Sequence, residues 1–434
     1  MRVNLRNLAL FAAVGVLYLG TAMVHGWNLT LALVNMGLIS AILALGVNIQ
    51  WGYAGLFNIG VMGFVALGGL AAVLVSMPPV TDAWAAGGTG IIIGMAIGAA
   101  TVILACLAWA RLPKGRIRGL AVAIILLVGW SVWSAIHGPA VTRIEAVNPS
   151  ATGYLGGFGL PILLAWPLGG VLAAAAAWAI GKTALGLRSD YLAIATLGIS
   201  EIIIAVLKNE DWLTRGVKNV TGLPRPVPYE LDLQQNATFI AWVADMGWDA
   251  PTASSIIVKL CYAGLFLTVL LVLIWLSETA WRSPWGRMMR AIRDNEAAAA
   301  AMGKDVTRRH LQIFVLGSAV LGVAGAMMTT LDGQLTPGSY VPLRFTFLVW
   351  VMVVVGGSGS NWGSVLGGFL IWWLWGMVEP LGQGASDLLT GWMPVDHWLR
   401  LHLQASAAHM RLLTMGVLLL VVLRFYPRGL IPER

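Results

Sequence analysis

Apolar side chains run through this chain in long blocks separated by short polar breaks. Twelve blocks stand out, at 8–25, 29–49, 54–76, 89–110, 119–136, 160–181, 191–207, 256–278, 311–331, 345–357, 362–379 and 407–424. A helix needs about 20 predominantly apolar residues to cross the hydrocarbon core of a bilayer. Several blocks are shorter than that or broken by glycine, so the pattern predicts ten to twelve membrane segments. The fold class is therefore all-α, a polytopic transmembrane helical bundle with 1–434 as a single membrane domain. The largest gaps, at 137–159, 209–255, 282–310 and 380–406, are too short to bury cores of their own. The first block follows Arg2 and Arg6 in the manner of a secretion signal. No small-x-small cleavage site follows it, so it reads as an uncleaved first span.

Charge orients the bundle. With the N-terminus in the cytoplasm and twelve crossings, Arg111, Lys114, Arg116, Arg118, Lys182, Arg188, the stretch 282–310 and the tail with Arg424, Arg428 and Arg434 all fall inside. The loop 209–255 falls outside, with Glu210, Asp211, Glu230, Asp232, Asp245 and Asp249 against Arg215, Lys218 and Arg225. That contrast is the positive-inside pattern, and it predicts cytoplasmic N- and C-termini.

Composition agrees. The chain is 58% hydrophobic and 11% charged, with a mean hydropathy of +0.81, whereas soluble domains are about 25% charged. Its 52 glycines suit closely packed membrane helices, and its 21 tryptophans suit interfacial anchoring. The net charge of +8 is explained by cytoplasmic loops and points to membrane lipid, with no nucleic acid as partner. Cys106 and Cys261 lie in apolar runs and suggest neither a disulfide nor a metal.

Candidate catalytic chemistry is sparse. Gly181-Lys182-Thr183 matches the end of a phosphate-binding loop, but the required earlier glycine is Ala176, inside an apolar block. The six histidines are scattered, and no Gly-x-Ser-x-Gly elbow occurs. The sequence predicts no catalytic residue, no metal site and no cofactor in this chain.

Three features remain. Glu201 sits near the middle of the block 191–207, with Thr196 and Ser200 sharing a face near it. An intramembrane charge costs about 2.5–3.5 kcal/mol on insertion scales, so it is expected to face the protein interior or water, in a functional or a structural role. Two glycine clusters, "WGYAGLFNIGVMGF" (51–64, containing Asn58) and "VGGSGSNWGSVLGG" (355–368), interrupt apolar blocks. They read either as the irregular backbone that flanks a substrate path or as short turns joining helices. Finally, "GRMMRAIRDNEAAAAAMGKDVTRRH" (286–310) is a charged island between apolar blocks. It predicts one short helix over 286–302, with Arg290 and Asp294 paired at i,i+4, a Met288/Met289/Ile292 stripe, and Gly303 as the stop. Its alanine run fits a groove in another protein better than a loop that only sets topology.

Four stretches resemble the membrane permease of branched-chain amino acid ATP-binding cassette (ABC) transporters, the LivM type. They are "GYAGLFNIGVMGFVALGGLAA" (52–72), "DYLAIATLGISEIIIAVLKN" with "TGLPRP" (190–209, 221–226), the long block 283–328 running through the island, and "TFLVWVMVVVGGSGSNWGSVLGG" (346–368). The resemblance implies that 282–310 is the cytoplasmic coupling-helix loop, with Arg290, Arg293, Asp294, Asn295, Glu296 and Gly303 as ATPase-coupling residues. It implies partners: a sister permease chain (LivH-like), two ABC ATPase subunits that bind the ATP and Mg, and a periplasmic substrate-binding protein facing the loop 209–255. The setting is the bacterial inner membrane. Branched-chain amino acids, urea, an amide or another amino acid are the implied solutes, with Asn58, Thr196 and Glu201 offered for the substrate pathway. The chain departs from the family at Met302, where a coupling-helix glycine is expected. Residues 77–160 look like an extra helical hairpin around "RLPKGRIR", and 380–406 looks expanded. The rival reading is a stand-alone secondary transporter or channel using Glu201 as an ion or proton site.

Overall fold

A computed structural model describes residues 5–394, 397–406 and 409–433; Arg2 and Arg434 lie outside them. In chain order the helices are α1 (Leu5–His25), α2 (Trp27–Ala54), α3 (Val61–Ser76) and α4 (Thr81–Ala83), which passes through a π-helical turn into α5 (Thr89–Arg111). Next come α6 (Arg116–Glu145), α7 (Ala165–Ala184), α8 (Ser189–Asn209), α9 (Asp211–Thr214), α10 (Glu230–Gln235), α11 (Ala237–Asp245) and α12 (Ala250–Arg282). The chain continues as α13 (Pro284–Asp294), α14 (Glu296–Ala301), α15 (Val306–Asp332), α16 (Pro342–Gly356), α17 (Asn361–Thr390), α18 (Trp398–Ser406) and α19 (Met410–Phe425). Among the described residues nine helices are long and apolar enough to cross a membrane, or ten if α18 and α19 count as one span. Two shorter apolar helices, α3 and α16, complete the set. The protein is thus an all-α, multi-pass membrane protein.

Several predicted boundaries differ, three of them with a physical cause in glycine or proline. The block beginning at 54 starts too early: α2 runs on to Ala54, and the chain is non-helical from 55 to 60. Gly55 takes a left-handed φ of 67°, and the Gly55 and Leu56 amides close back on the Trp51 and Gln50 carbonyls at 2.8 and 3.1 Å, terminating the helix. The blocks ending at 136 and 379 stop too soon. Helices α6 and α17 continue through Pro139 and Pro380, because neighbouring groups in a membrane bundle can satisfy the carbonyl that proline frees.

The connections sort into two ends. At one end Arg6 Nη2 donates to the Leu430 carbonyl at 3.3 Å. There the Leu430 and Ile431 amides pair with the Val355 and Gly356 carbonyls, each at 2.9 Å. At the other end strand β1 (Val220–Thr221) pairs antiparallel with β2 (Gln334–Leu335). The Leu155 amide there donates to the Trp212 carbonyl at 3.0 Å, and the Val80 amide to the Leu155 carbonyl at 3.1 Å. The first end also gathers 55–60, 283–305 and 357–360, so α3 and α16, though short, each carry the chain across.

Helix α2 is the centre: 83% of its most apolar stretch is buried by its neighbours, against none of the corresponding stretch of α6. Helices α3, α7 and α15 pack backbone to backbone beside it. A methyl at Gly68 of α3 would lie 2.8 Å from the Gly322 carbonyl carbon, and one at Gly322 would lie 3.0 Å from that of Gly169. Small residues allow this approach, which supplies dispersion contacts where no hydrophobic effect operates between helices. Helices α5 and α6 form a peripheral antiparallel pair, sealed at the second end by Ala83, Ile91, Ala140, Ile144 and Leu155.

Candidate functional site

The charged island folds as an elbow rather than the single helix expected over 286–302. Ser283 caps α13, its Oγ accepting from the Gly286 amide at 3.3 Å, with Pro284 in the first turn. The helix stops at Asp294 because Asn295 adopts φ −155° and ψ 95° and caps α14, its Oδ1 accepting from the Ala298 amide at 2.9 Å. The expected stop at Gly303 holds: its φ is 76°, and the Lys304 amide returns to the Ala299 carbonyl at 3.2 Å. Met289 and Ile292 are buried against the bundle, whereas Asp294, Asn295, Glu296, Ala297, Ala298 and Met302 face outward. Among the described residues the expected Arg290–Asp294 pair does not form. Arg290 instead lies 4.6 Å above the Trp281 ring, where a guanidinium is held by the ring's quadrupole.

Arg293 ties the elbow to the bundle. Its Nη1 donates to the Gly52 carbonyl and to Glu433 Oε2 at 2.8 Å, and its Nη2 to Glu433 Oε1 at 3.2 Å. A further contact to Asp294 Oδ1 spans 3.3 Å. Burial works against its charge, but the Glu433 and Asp294 carboxylates outweigh it and hold the guanidinium above its ordinary pKa.

Gly52 meets the second glycine cluster. A methyl there would lie 2.8 Å from Gly359 Cα, and Gly357 and Gly359 adopt φ of 122° and 83°, which side-chain-bearing residues resist. Asn48 Oδ1 accepts from the Gly359 amide at 2.8 Å, and its Nδ2 donates to Asn361 Oδ1 at 3.1 Å. The Tyr53 hydroxyl donates to the same Asn361 oxygen at 2.8 Å, and Asn361 Nδ2 donates to Glu278 Oε1 at 3.2 Å. One polar network therefore joins both glycine breaks, the end of α12, the elbow and the tail segment at 430–433.

The candidate pathway residues separate. Asn58 is buried, its Nδ2 donating to Gln50 Oε1 and its Oδ1 accepting from the Gly60 amide, both at 2.8 Å. Thr196 is also buried and accepts from the Ile59 amide at 3.1 Å. The two come together as braces of the 55–60 break. Ser200 is buried, and among the described residues its hydroxyl has no partner. Glu201 does not face the interior of this chain: it is exposed on the outer side of α8 with Gly198, Ile202 and Val206. Among the described residues no cluster of three His, Cys, Asp or Glu side chains is placed to hold a metal ion. Sequence reasoning missed Glu433, Glu278, Asn48 and Asn361. The two asparagines left a signal, each being an amide beside or within an apolar block.

The chain is similar in sequence to known membrane permeases. The family described as branched-chain amino acid transport system / permease component matches residues 119–423. The chain is 30% identical over 222 residues to the high-affinity branched-chain amino acid transport system permease protein LivM of Escherichia coli (strain K12), covering 49% of this chain and 50% of that one. It is 26% identical over 295 residues to a protein of Methanocaldococcus jannaschii assigned as a LivM branched-chain amino acid transport permease, covering 68% and 73% of the two chains. To the high-affinity branched-chain amino acid permease LivH of Escherichia coli (strain K12) it is 26% identical over 215 residues, covering 49% and 62%. The match thus spans about half the length of the first of these relatives. No solved structure matches the chain. With the family's match running from within α6 to within α19 and taking in the elbow and the second glycine break, the chain belongs to the branched-chain amino acid transport permease family.

Proposed function

We propose that this chain is a permease subunit of an ABC importer in the bacterial inner membrane, forming half of a translocation pathway. Its solute is a branched-chain amino acid or a related small polar compound. A sister permease of the LivH type supplies the other half, a periplasmic binding protein delivers solute to the β1–β2 end, and two ATPase subunits carry the ATP and Mg at the elbow end. This chain is then a transport component and not an enzyme.

The observation that carries this reading is the elbow. Its outer face is exposed and polar at Asp294, Asn295 and Glu296, while its inner face is anchored by Arg293 to Gly52 and Glu433. A push on α14 therefore reaches both glycine breaks through hydrogen bonds and not through a flexible loop, as a rigid-body switch requires. Arg290, seated on Trp281, stiffens the root of α13, and Gly303 ends the device. In this reading Asn58 and Thr196 hold the moving break, and Glu201 faces the pathway shared with the sister chain. A carboxylate at mid-helix is costly against lipid and acceptable against water or a second subunit.

The test is uptake into proteoliposomes with all partner subunits. Exchanging Asp294 and Glu296 for alanine is expected to cut ATP-driven uptake by about tenfold, the size of one lost charge-assisted contact, while membrane insertion is unchanged. Normal coupling in these variants, or solute movement by this chain alone, would refute the proposal.

A further inference from the structure

We propose that the groove between α12 and α15, at the elbow end of the bundle, is a binding site for one anionic phospholipid. The groove is open along one side and offers about 570 Å³. Its mouth is polar: Arg309 Nη1 and Trp285 Nε1 both donate to Gln312 Oε1, at 2.9 and 3.2 Å. Its wall is apolar, formed by Ala280, Val315 and Leu316. At 1.5 Å per residue Leu316 lies about 10 Å deeper along α15 than Arg309. A cation and an indole at the rim, above a descending apolar wall, match a phosphate headgroup followed by an acyl chain.

Charge selects the anionic class. Among the described residues no carboxylate lies within ion-pairing distance of Arg309. The stretch 282–310 holds seven basic residues against three acidic, so the local field attracts a net negative headgroup. Basic pockets between membrane helices are established sites for such lipids. Free phosphate would satisfy the arginine but leave the apolar wall uncovered. Leu316 is 49% exposed within an apolar span, so an acyl chain reaches the groove from the bilayer. The inference rests on the membrane placement of α12 and α15, not on the transport reading.

The experiment is native mass spectrometry of the full chain, delipidated in mild detergent and titrated with phosphatidylglycerol, phosphatidylcholine or inorganic phosphate. The wild-type chain is expected to retain one phosphatidylglycerol in preference to phosphatidylcholine. Arg309→Gln is expected to weaken retention about tenfold, as for one charge-assisted hydrogen bond. Leu316→Trp, which fills the wall without touching the charge, is expected to lose the same lipid. Arg188→Gln, at an exposed position outside the groove's lining, is expected to keep it. Equal retention of phosphatidylcholine, binding of phosphate alone, or undiminished retention by both groove variants overturns the site.

Discussion

Arg293 shows how far a single side chain departs from its sequence context. Its spacing places it among several exposed cations, yet its guanidinium forms a two-pronged pair with a carboxylate 140 residues away. Both side chains keep about a quarter of their surface exposed, so a double-mutant cycle of Arg293→Ala and Glu433→Ala is expected to yield only about 1 kcal/mol of coupling energy. Thermal unfolding of the purified chain measures it, and Arg293→Ala should lower the midpoint more than Glu433→Ala because it also forfeits the Gly52 carbonyl. A cycle energy of zero would remove the clamp from the mechanism. Asn58 and Thr196 were legible as polar groups within or beside apolar blocks, and both proved to be braces. Glu433 was not legible, since nothing local to a short basic tail marks a distant partner. The Arg290–Asp294 pair was misread for the converse reason: spacing shows an i,i+4 neighbour but not the aromatic ring that competes for it.

Among elements, the sequence located nearly every apolar helix and misplaced how they begin and end. Hydropathy registers side chains, whereas the stop at Gly55 is set by backbone handedness and the continuation through Pro139 and Pro380 by the tolerance of membrane helices for the carbonyl each proline frees. The elbow was hidden because Asn295 is compatible with a helix interior, and its cap forms only when the chain turns. Replacing Asn295 with alanine removes that cap, at a cost of about 1 kcal/mol, and favours one straight helix. Partner-stimulated ATP hydrolysis is then expected to persist while uptake falls, and unchanged uptake would show that the bend is dispensable. Tight crossings make a separate prediction. Gly68→Ala drives a methyl into the Gly322 carbonyl, an overpacking expected to cost about 1–3 kcal/mol and to appear as a lower unfolding midpoint in detergent.

Over the whole molecule, the segment count and the two-ended sorting of connections were readable from charge and hydropathy, because both follow from the bilayer itself. The side of α8 on which Glu201 sits was not readable, since hydropathy places a carboxylate within a span but not on one of its faces. Sidedness can be measured directly. In a background with Cys106 and Cys261 changed to serine, cysteines are placed at Val217 and Met302, which are 70% and 79% exposed. A membrane-impermeant maleimide is expected to label the Val217→Cys chain in intact cells, and the Met302→Cys chain only after the inner membrane is opened. The reverse pattern would invert the molecule.

The peripheral pair α5–α6 leaves and rejoins the core where the Val80 amide meets the Leu155 carbonyl. It is therefore a detour with its exit beside its entrance. Because it crosses the bilayer out and back, gaining or shedding it alters neither the direction of any later helix nor which compartment the elbow meets. Chains of this architecture can thus differ in length by a whole helical pair while presenting the same faces to the same neighbours.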